Sequence, residues 1–398
     1  MLAGLLWMQS YGAYVVLLQD EFGWSSALVA GAFALTRVES GVLGPLQGWL
    51  VDRYGPRPVL RIGIIVFALG FFLFSFVDSI LTFYIAFGLI AVGSSLGGFA
   101  TVMVSLVNWF SQHRAKAVSI SQMGYSLGGL CIPLVVLSLE IHGWRVTAQI
   151  SGCLVLIVGL PLVQVVRHRP SEIGETADGM AESVVDPGAA RKLFSDRDFT
   201  AREAMRSHSF WMLSAGHACA LLVVSAVMVH LVSHLTSHLE FSLTQAGFVV
   251  MLMTGFQMFG QLCGGYLGDR FNKRLLCIGC MVGHSLGLLL VAFSVNTLMV
   301  VLAVMLHGMA WGIRGPLMVA LRADYFGPSS FGTIMGFSSM IVMFGMFTGP
   351  IFAGYMADLH GNYELGFSYL AAGAFVGSFC FYAATPPKSL RGKVYADG

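Results

Sequence analysis

Long apolar runs recur along the whole of this 398-residue chain, and no other feature limits its folding as strongly. Each run is roughly 18 residues or more, enough for an α-helix to cross about 30 Å of hydrocarbon. Inside a bilayer no water satisfies the backbone, so only helices and closed barrels can span it. A barrel would read as segments of about ten residues with alternating polarity, and that pattern is absent. The charge inventory agrees. Only 11% of residues are charged, against 56% hydrophobic, and mean hydropathy is +0.77, whereas a soluble domain carries about 25% charged residues. The sequence predicts an all-α membrane protein.

The runs place twelve spans near 1–19, 26–50, 59–77, 80–108, 115–140 and 145–167, then 208–236, 243–267, 275–294, 297–322, 331–357 and 363–384. The first has no basic leader region and no cleavage site, so it reads as a span and not a signal peptide. This division predicts a six-helix bundle over 1–167, a cytoplasmic linker with a surface helix over 168–207, a second six-helix bundle over 208–385 and a tail over 386–398. Lys and Arg collect in cytoplasmic connections. With twelve spans one side receives Arg53, Arg57, Arg61, Arg114, Lys116, Arg270, Lys273, Arg274 and Arg322, the linker's Arg167, Arg169, Arg191, Lys192, Arg197, Arg202 and Arg206, and the tail's Lys388, Arg391 and Lys393. The other receives Arg145 alone among them, with Asp20, Glu21, Asp78, Glu140, Glu240, Asp358 and Glu364. Both termini are therefore expected in the cytoplasm, in a plasma membrane.

The halves repeat. Gly48-Trp-Leu-Val-Asp52-Arg53-Tyr-Gly55-Pro-Arg57 follows the second span, and Gly265-Tyr-Leu-Gly-Asp269-Arg270-Phe-Asn272-Lys273-Arg274 follows the eighth. Asn272 stands where the first copy has Gly55 and also tolerates a left-handed turn. Trp109-Phe110 parallels Tyr325-Phe326, Pro133 parallels Pro350, and His142-Gly143 parallels His360-Gly361. Repeats of this kind put a binding site near mid-membrane in transporters.

These loops and the twelve-span layout resemble the major facilitator superfamily over essentially the whole chain. The resemblance implies two pseudo-symmetric six-helix bundles that rock in alternating access. It also implies that Asp52, Arg53 and Arg57, with Asp269 and Arg270 as weaker counterparts, make charged gating contacts. Fixing topology and turn geometry is the plainer reading of the same residues. A finer likeness is to the monocarboxylate porter and oxalate–formate exchanger branch. It rests on Trp109-Phe110-Ser-Gln112-His113-Arg114 leading into Gly124 and Gly128, on Arg169-Pro170 with Gly174 and Asp178-Gly179, and on Phe210-Trp211. Gln112 replaces that branch's usual Lys and Ser119 a usual Gly. The acidic-Gly-Gly-aromatic first-span signature of the branch's animal members is absent, and the eighth span, around Thr254, Phe256 and Gln257, lacks the carboxylate-binding arginine of several relatives.

Charges deep in a span cost about 2.5–3.5 kcal/mol or more and need a reason. Three stand out: Arg37, Glu39 and Arg314. His307, Trp311 and Arg314 fall at i, i+4 and i+7 on one helix face, a cation, a titratable ring and a flat aromatic suited to an anionic organic solute. A structural pairing of Arg314 with a carbonyl or carboxylate is the alternative. Arg37 and Glu39 are two residues apart and cannot face each other, so each needs a partner elsewhere. Arg37 is a further substrate candidate, and Glu39 and His307 are candidates for proton coupling. Tyr11, Tyr14, Ser94, Thr101, Gln122 and His217 add polar groups at helical spacing for a wet cavity, or for helix–helix hydrogen bonding.

His230, His234 and His238 share a face at metal spacing, but no carboxylate is fixed beside them, and an amphipathic helix end, or else a proton-sensitive mouth, is the reading instead. Cys277-x-x-Cys280 reads as apolar packing. No nucleophile–base pair, metal motif or phosphate loop is present, so an enzyme, a cofactor, a metal and a nucleic-acid partner are not expected. The expected function is secondary active transport of a small, monocarboxylate-like organic anion, proton-coupled or by exchange, by a monomer. An efflux antiporter for amphiphilic drugs and a non-transporting sensor are the alternatives.

Overall fold

The structure, a computed structural model, describes residues 2–179 and 198–387 apart from Gln9 and Ser25. The side chain of Arg37 and most others over 26–38 lie outside that description, as do Arg191, Lys192, Arg197, Lys388, Arg391 and Lys393. Every regular element described is helical. A π-turn, Gly4–Met8, precedes α1 (Tyr11–Phe22), α2 (Ser26–Tyr54), α3 (Pro56–Phe74), α4 (Ile80–Leu96), α5 (Phe99–Trp109), α6 (Arg114–Leu130) and α7 (Ile132–Val165). The linker contributes α8 (Ala201–Arg206). There follow α9 (His208–His238), α10 (Leu243–Arg270), α11 (Lys273–Ala292), α12 (Thr297–Phe326), α13 (Phe331–His360) and α14 (Glu364–Ala383).

Helix occupies each of the twelve expected spans, with two breaks that hydropathy does not show. The fourth span is interrupted between Leu96 and Phe99, at Gly97-Gly98, and the fifth at Cys131 between α6 and α7; α7 then carries the rest of the fifth span into the sixth through Gly143. Among the described residues nine helical stretches are long and apolar enough to cross a membrane, and the one over Arg114–Val165 holds two spans.

Local chemistry explains the boundaries. Ser79 and Ser242 accept the N–H groups of Thr82 and Gln245 in capping boxes that start α4 and α10. Gly143 and Gly361 both take φ 75° between the last two spans of their repeats, but with ψ 169° and 0°, so each repeat uses a glycine there and turns it differently. Asn272 corrects the expectation of a left-handed turn. Its φ is −64°, and its side chain caps α11 by accepting from Arg274 and Leu275 N–H, so the second repeat starts its helix with a side chain where the first uses Gly55 at φ 81° and Pro56.

The chain forms two compact units. The first comprises Met1–Trp109, Ser121–Ala181 and Phe331–Gly336, and the second Phe110–Ile120, Glu182–Ser330 and Phe337–Gly398. The start of α6 thus belongs with the second unit and the start of α13 with the first. In the first unit a Cβ at Gly48 would fall on the backbone of Gly332, and one at Gly336 on the backbone of Gly44. The matching place in the second unit brings Gly265 and Gly268 against Ser119 and Ala115, and Ser119 Oγ donates to the Gln261 carbonyl. Small residues let helices approach in lipid. The repeat also conserves an aromatic tie: Trp109 Nε1 donates to Arg167 O at 3.0 Å, and Tyr325 Oη to Ala384 O at 2.8 Å.

The first unit carries a charged cluster where the end of α1 meets α7. Glu21 accepts from Trp144 Nε1 at 2.6 Å and Arg145 Nη1 at 2.5 Å, and Arg145 also reaches Val77 O. The indole bond first, then the guanidinium, hold the Glu21 carboxyl below its ordinary range. A carboxyl lowered on folding contributes stability above its unfolded value, about 4.3, and loses it as pH falls through the folded value. The difference in melting temperature between wild type and Glu21→Gln should therefore be present at neutral pH and shrink toward zero in acid. Scanning fluorimetry of detergent-solubilised protein over pH measures it. Gly48→Val should destabilise by about 1–3 kcal/mol or more by overpacking two backbones. Gly88→Ala, where a Cβ meets nothing within 4 Å, should be neutral or stabilising in the same assay.

Candidate functional site

The repeated loops do their work through aspartate and helix amides. In the first unit Asp52 accepts from Gly332 N at 2.9 Å, Thr333 N at 2.7 Å and Thr333 Oγ1 at 2.7 Å, the first turn of α13. In the second unit Asp269 accepts from Ala115 N at 2.9 Å and Lys116 N at 3.3 Å, the first turn of α6. A helix start has unpaired N–H groups and a positive dipole end, so a carboxylate there satisfies both. The neighbouring arginines act elsewhere. Arg53 lies over the rings of Trp49 and Tyr54, Arg270 over Tyr266, and Arg57 donates to the Gln164 carbonyl. The close ion pairs of this region are Arg114–Asp324 at 2.5 Å and Lys273–Asp324 at 2.8 Å. Neither Arg114 nor Asp324 was a sequence-based site candidate. Asn108 stands in the first repeat where Asp324 stands in the second, so the first unit lacks this pair.

The second unit gathers buried polar groups on α9, α11 and α12. Arg314 is 1% exposed, and its Nε and Nη1 have no hydrogen-bond partner among the described residues. It lies within electrostatic reach of His284, His307, Cys277, Cys280, Arg322 and His217. His307 Nδ1 meets His284 Nδ1 on α11, while Trp311 is half-buried. The i, i+4, i+7 face therefore holds in its spacing, but His307 and Arg314 are drawn toward α11.

Arg322 corrects the division into span and loop. Counted from sequence among loop cations, it is 3% exposed because α12 continues to Phe326. It donates to His217 Nδ1 at 2.9 Å, Ser338 Oγ at 2.7 Å and Met318 O at 3.2 Å, and Ser338 meets Ser214 at 2.8 Å. His217 is thus bound to a buried arginine other than Arg314. Hydropathy placed Arg322 at a helix end, where a cation needs no partner, and so hid it.

In the first unit Thr101 is fully buried, and Gln47 Nε2 donates to its hydroxyl at 3.1 Å and to Ser95 O at 2.6 Å. Ser95 returns a bond to Gln47 Oε1 at 2.9 Å, and Thr101 donates to Leu96 O at 2.7 Å. Gln47, missed from sequence, and Thr101 thereby bond the Ser95 and Leu96 carbonyls at the break between α4 and α5. Ser94 bonds back to Ala91 O. Tyr11 packs edge-on to Phe87, and Tyr14 edge-on to Phe74. Glu39 and Gln122 are half-buried on α2 and α6, and Arg37 falls on α2 with its side chain outside the description.

The α9 histidines are separately engaged. His230 contacts Tyr363 Oη and Pro350 O, His234 contacts Val291 O, and His238 lies 3.9 Å from Glu364. A carboxylate does stand beside this face, contrary to the sequence reading. No group of three or more metal-ligating side chains occurs among the described residues.

Comparison with known proteins agrees with this architecture. The chain is 27% identical over 382 residues to monocarboxylate transporter 13 of Rattus norvegicus, covering 93% of this chain and 82% of that one. It is 27% identical over 225 residues to the oxalate:formate antiporter of Oxalobacter formigenes, covering 55% and 50%. The solved proton:xylose symporter XylE superposes with a TM-score of 0.77 at 16% identity, over 97% of this chain and 94% of that one. The model of the Major Facilitator Superfamily matches residues 1–233 and 213–397. Two helical repeats, matched loops and this family match converge, and the chain belongs to the major facilitator superfamily: it is an integral membrane transporter of a small molecule, not an enzyme.

Proposed function

We propose that the chain carries a small, monocarboxylate-like organic anion by alternating access, proton-coupled or by exchange, with Arg314 as the anion's anchor. The observation that carries this reading is the buried Arg314 with two N–H donors unpartnered. A desolvated guanidinium is costly without a counter-charge, and a carboxylate supplies charge and two acceptors in a matching plane. Two of the relatives above are named for monocarboxylate and for oxalate and formate, which supports the same class. Trp311 and His307 would shape the site, and Tyr11, Tyr14, Ser94, Thr101, Gln122, His217 and Arg37 remain candidates for wider substrate contact, with Glu39 for coupling. The protein would act as a monomer in a plasma membrane, with bundles over 1–167 and 208–385 and both termini cytoplasmic.

The capping aspartates are the gate in this reading. Asp52 and Asp269 hold the first turns of α13 and α6, helices whose later residues belong to the other compact unit. Releasing those turns would be part of the transport cycle, with Arg53, Arg57 and Arg270 setting charge around them.

Uptake of carbon-14-labelled formate, acetate, lactate and benzoate into proteoliposomes under a pH gradient tests the substrate class. Arg314→Ala should weaken apparent affinity for the transported anion by about tenfold to a hundredfold, as expected for lost hydrogen bonds to a charge. Displacement by lipophilic cations with no response to any anion would overturn it. Asp52→Ala should speed amide exchange of residues 332–336, and Asp269→Ala that of 115–119, by about 2- to 30-fold, the equivalent of a lost helix cap. Hydrogen–deuterium exchange with mass spectrometry reads both.

A further inference from the structure

The α11–α12 packing holds a contact that the transport reading does not yet use. His284 Nδ1 and His307 Nδ1 lie 3.2 Å apart, with ring centroids 4.6 Å apart at 67°. Both rings are buried. Two imidazoles meet nitrogen to nitrogen only when one donates and the other accepts. The neutral pair therefore holds one ring as the Nδ1–H tautomer and the other as the Nε2–H tautomer. That leaves one Nε2 with a free lone pair and the other with a proton, and neither Nε2 has a hydrogen-bond partner.

We propose that His284 and His307 form a proton relay tied to the anion at Arg314, an inference that rests on the anion-transport reading. A proton arriving at the bare Nε2 turns the first ring into an imidazolium. Its Nδ1 proton then passes to the facing Nδ1, and the second ring releases its own Nε2 proton. One proton enters, one leaves, and only N–H bonds change. The two rings finish with their tautomers exchanged, ready to pass a proton the opposite way.

Arg314 ties this relay to substrate, because it is the cation within electrostatic reach of both rings. A charged relay and the guanidinium repel each other in a low-dielectric interior. An anion on the guanidinium removes that repulsion, so the proton and the anion favour each other's presence. Around them α11 brings Cys277 and Cys280, α12 Arg322 and α9 His217. From α10 it is the backbone of Gln257 and Gln261 that lies against Gly312. No carboxylate among the described residues is bonded to either ring.

Full-length wild type and His284→Gln, reconstituted into liposomes containing pyranine, separate the possibilities with the same four labelled carboxylates. The relay predicts that pH-gradient-driven accumulation falls about tenfold or more in His284→Gln, while anion counterflow stays within about twofold of wild type. Undiminished gradient-driven accumulation in His284→Gln would overturn the relay and leave the anion reading standing. If wild type moves none of the four anions, the anion reading fails by itself. The relay is then judged by nitrogen-15 spectra of histidine-labelled protein in lipid. A shared pair shows one ring protonated at Nδ1 and one at Nε2, a signature lost in His284→Gln; two Nε2-protonated rings refute it.

Discussion

A carboxylate accepting the first-turn amides of a helix is the interaction on which this architecture turns. It occurs twice, with Asp52 on α13 and Asp269 on α6. Each joins a loop after the second helix of a repeat to the start of a helix that runs on into the other compact unit. Backbone amides cannot be traded for another side chain, so the contact depends on where a helix begins. Close glycine and small-residue packing beneath it, at Gly48 and Gly332 or at Gly265 and Ser119, brings the helix start within the carboxylate's reach. In the transport reading proposed above, parting this contact would return amides and carboxylate to water, which would let it serve as a gate.

The repeats are alike where they build the frame and different where they hold charge. Aromatic ties to Arg167 O and Ala384 O, the positive-φ glycines Gly143 and Gly361 and the capping aspartates recur. The second unit alone adds Arg314, Arg322, the His284–His307 contact and the Asp324 ion pairs among the described residues. The first unit answers with neutral polarity, Gln47 bridging Ser95 and Thr101 across a broken helix.

Much of this was legible in the sequence because the bilayer imposes simple rules. Apolar run length, cation placement and the repeated Asp-Arg loops specify helical class, span positions and the two-repeat plan, and they point to Asp52, Asp269, Arg314, His307 and His217. What those residues touch was decided by packing. A period of 3.6 places His307 and Arg314 on one face but not which neighbour that face meets, and His284 came from another helix without any local motif. Arg322 was hidden because hydropathy cannot tell a buried helix end from a solvated one, and Asn272 because its side chain could cap a helix as well as permit a turn. Sequence spacing thus settled which groups share a helix face. Only tertiary contact, where long-range packing removes water and forces each polar atom to find a partner or go without, decided which became caps, which became pairs and which were left without either.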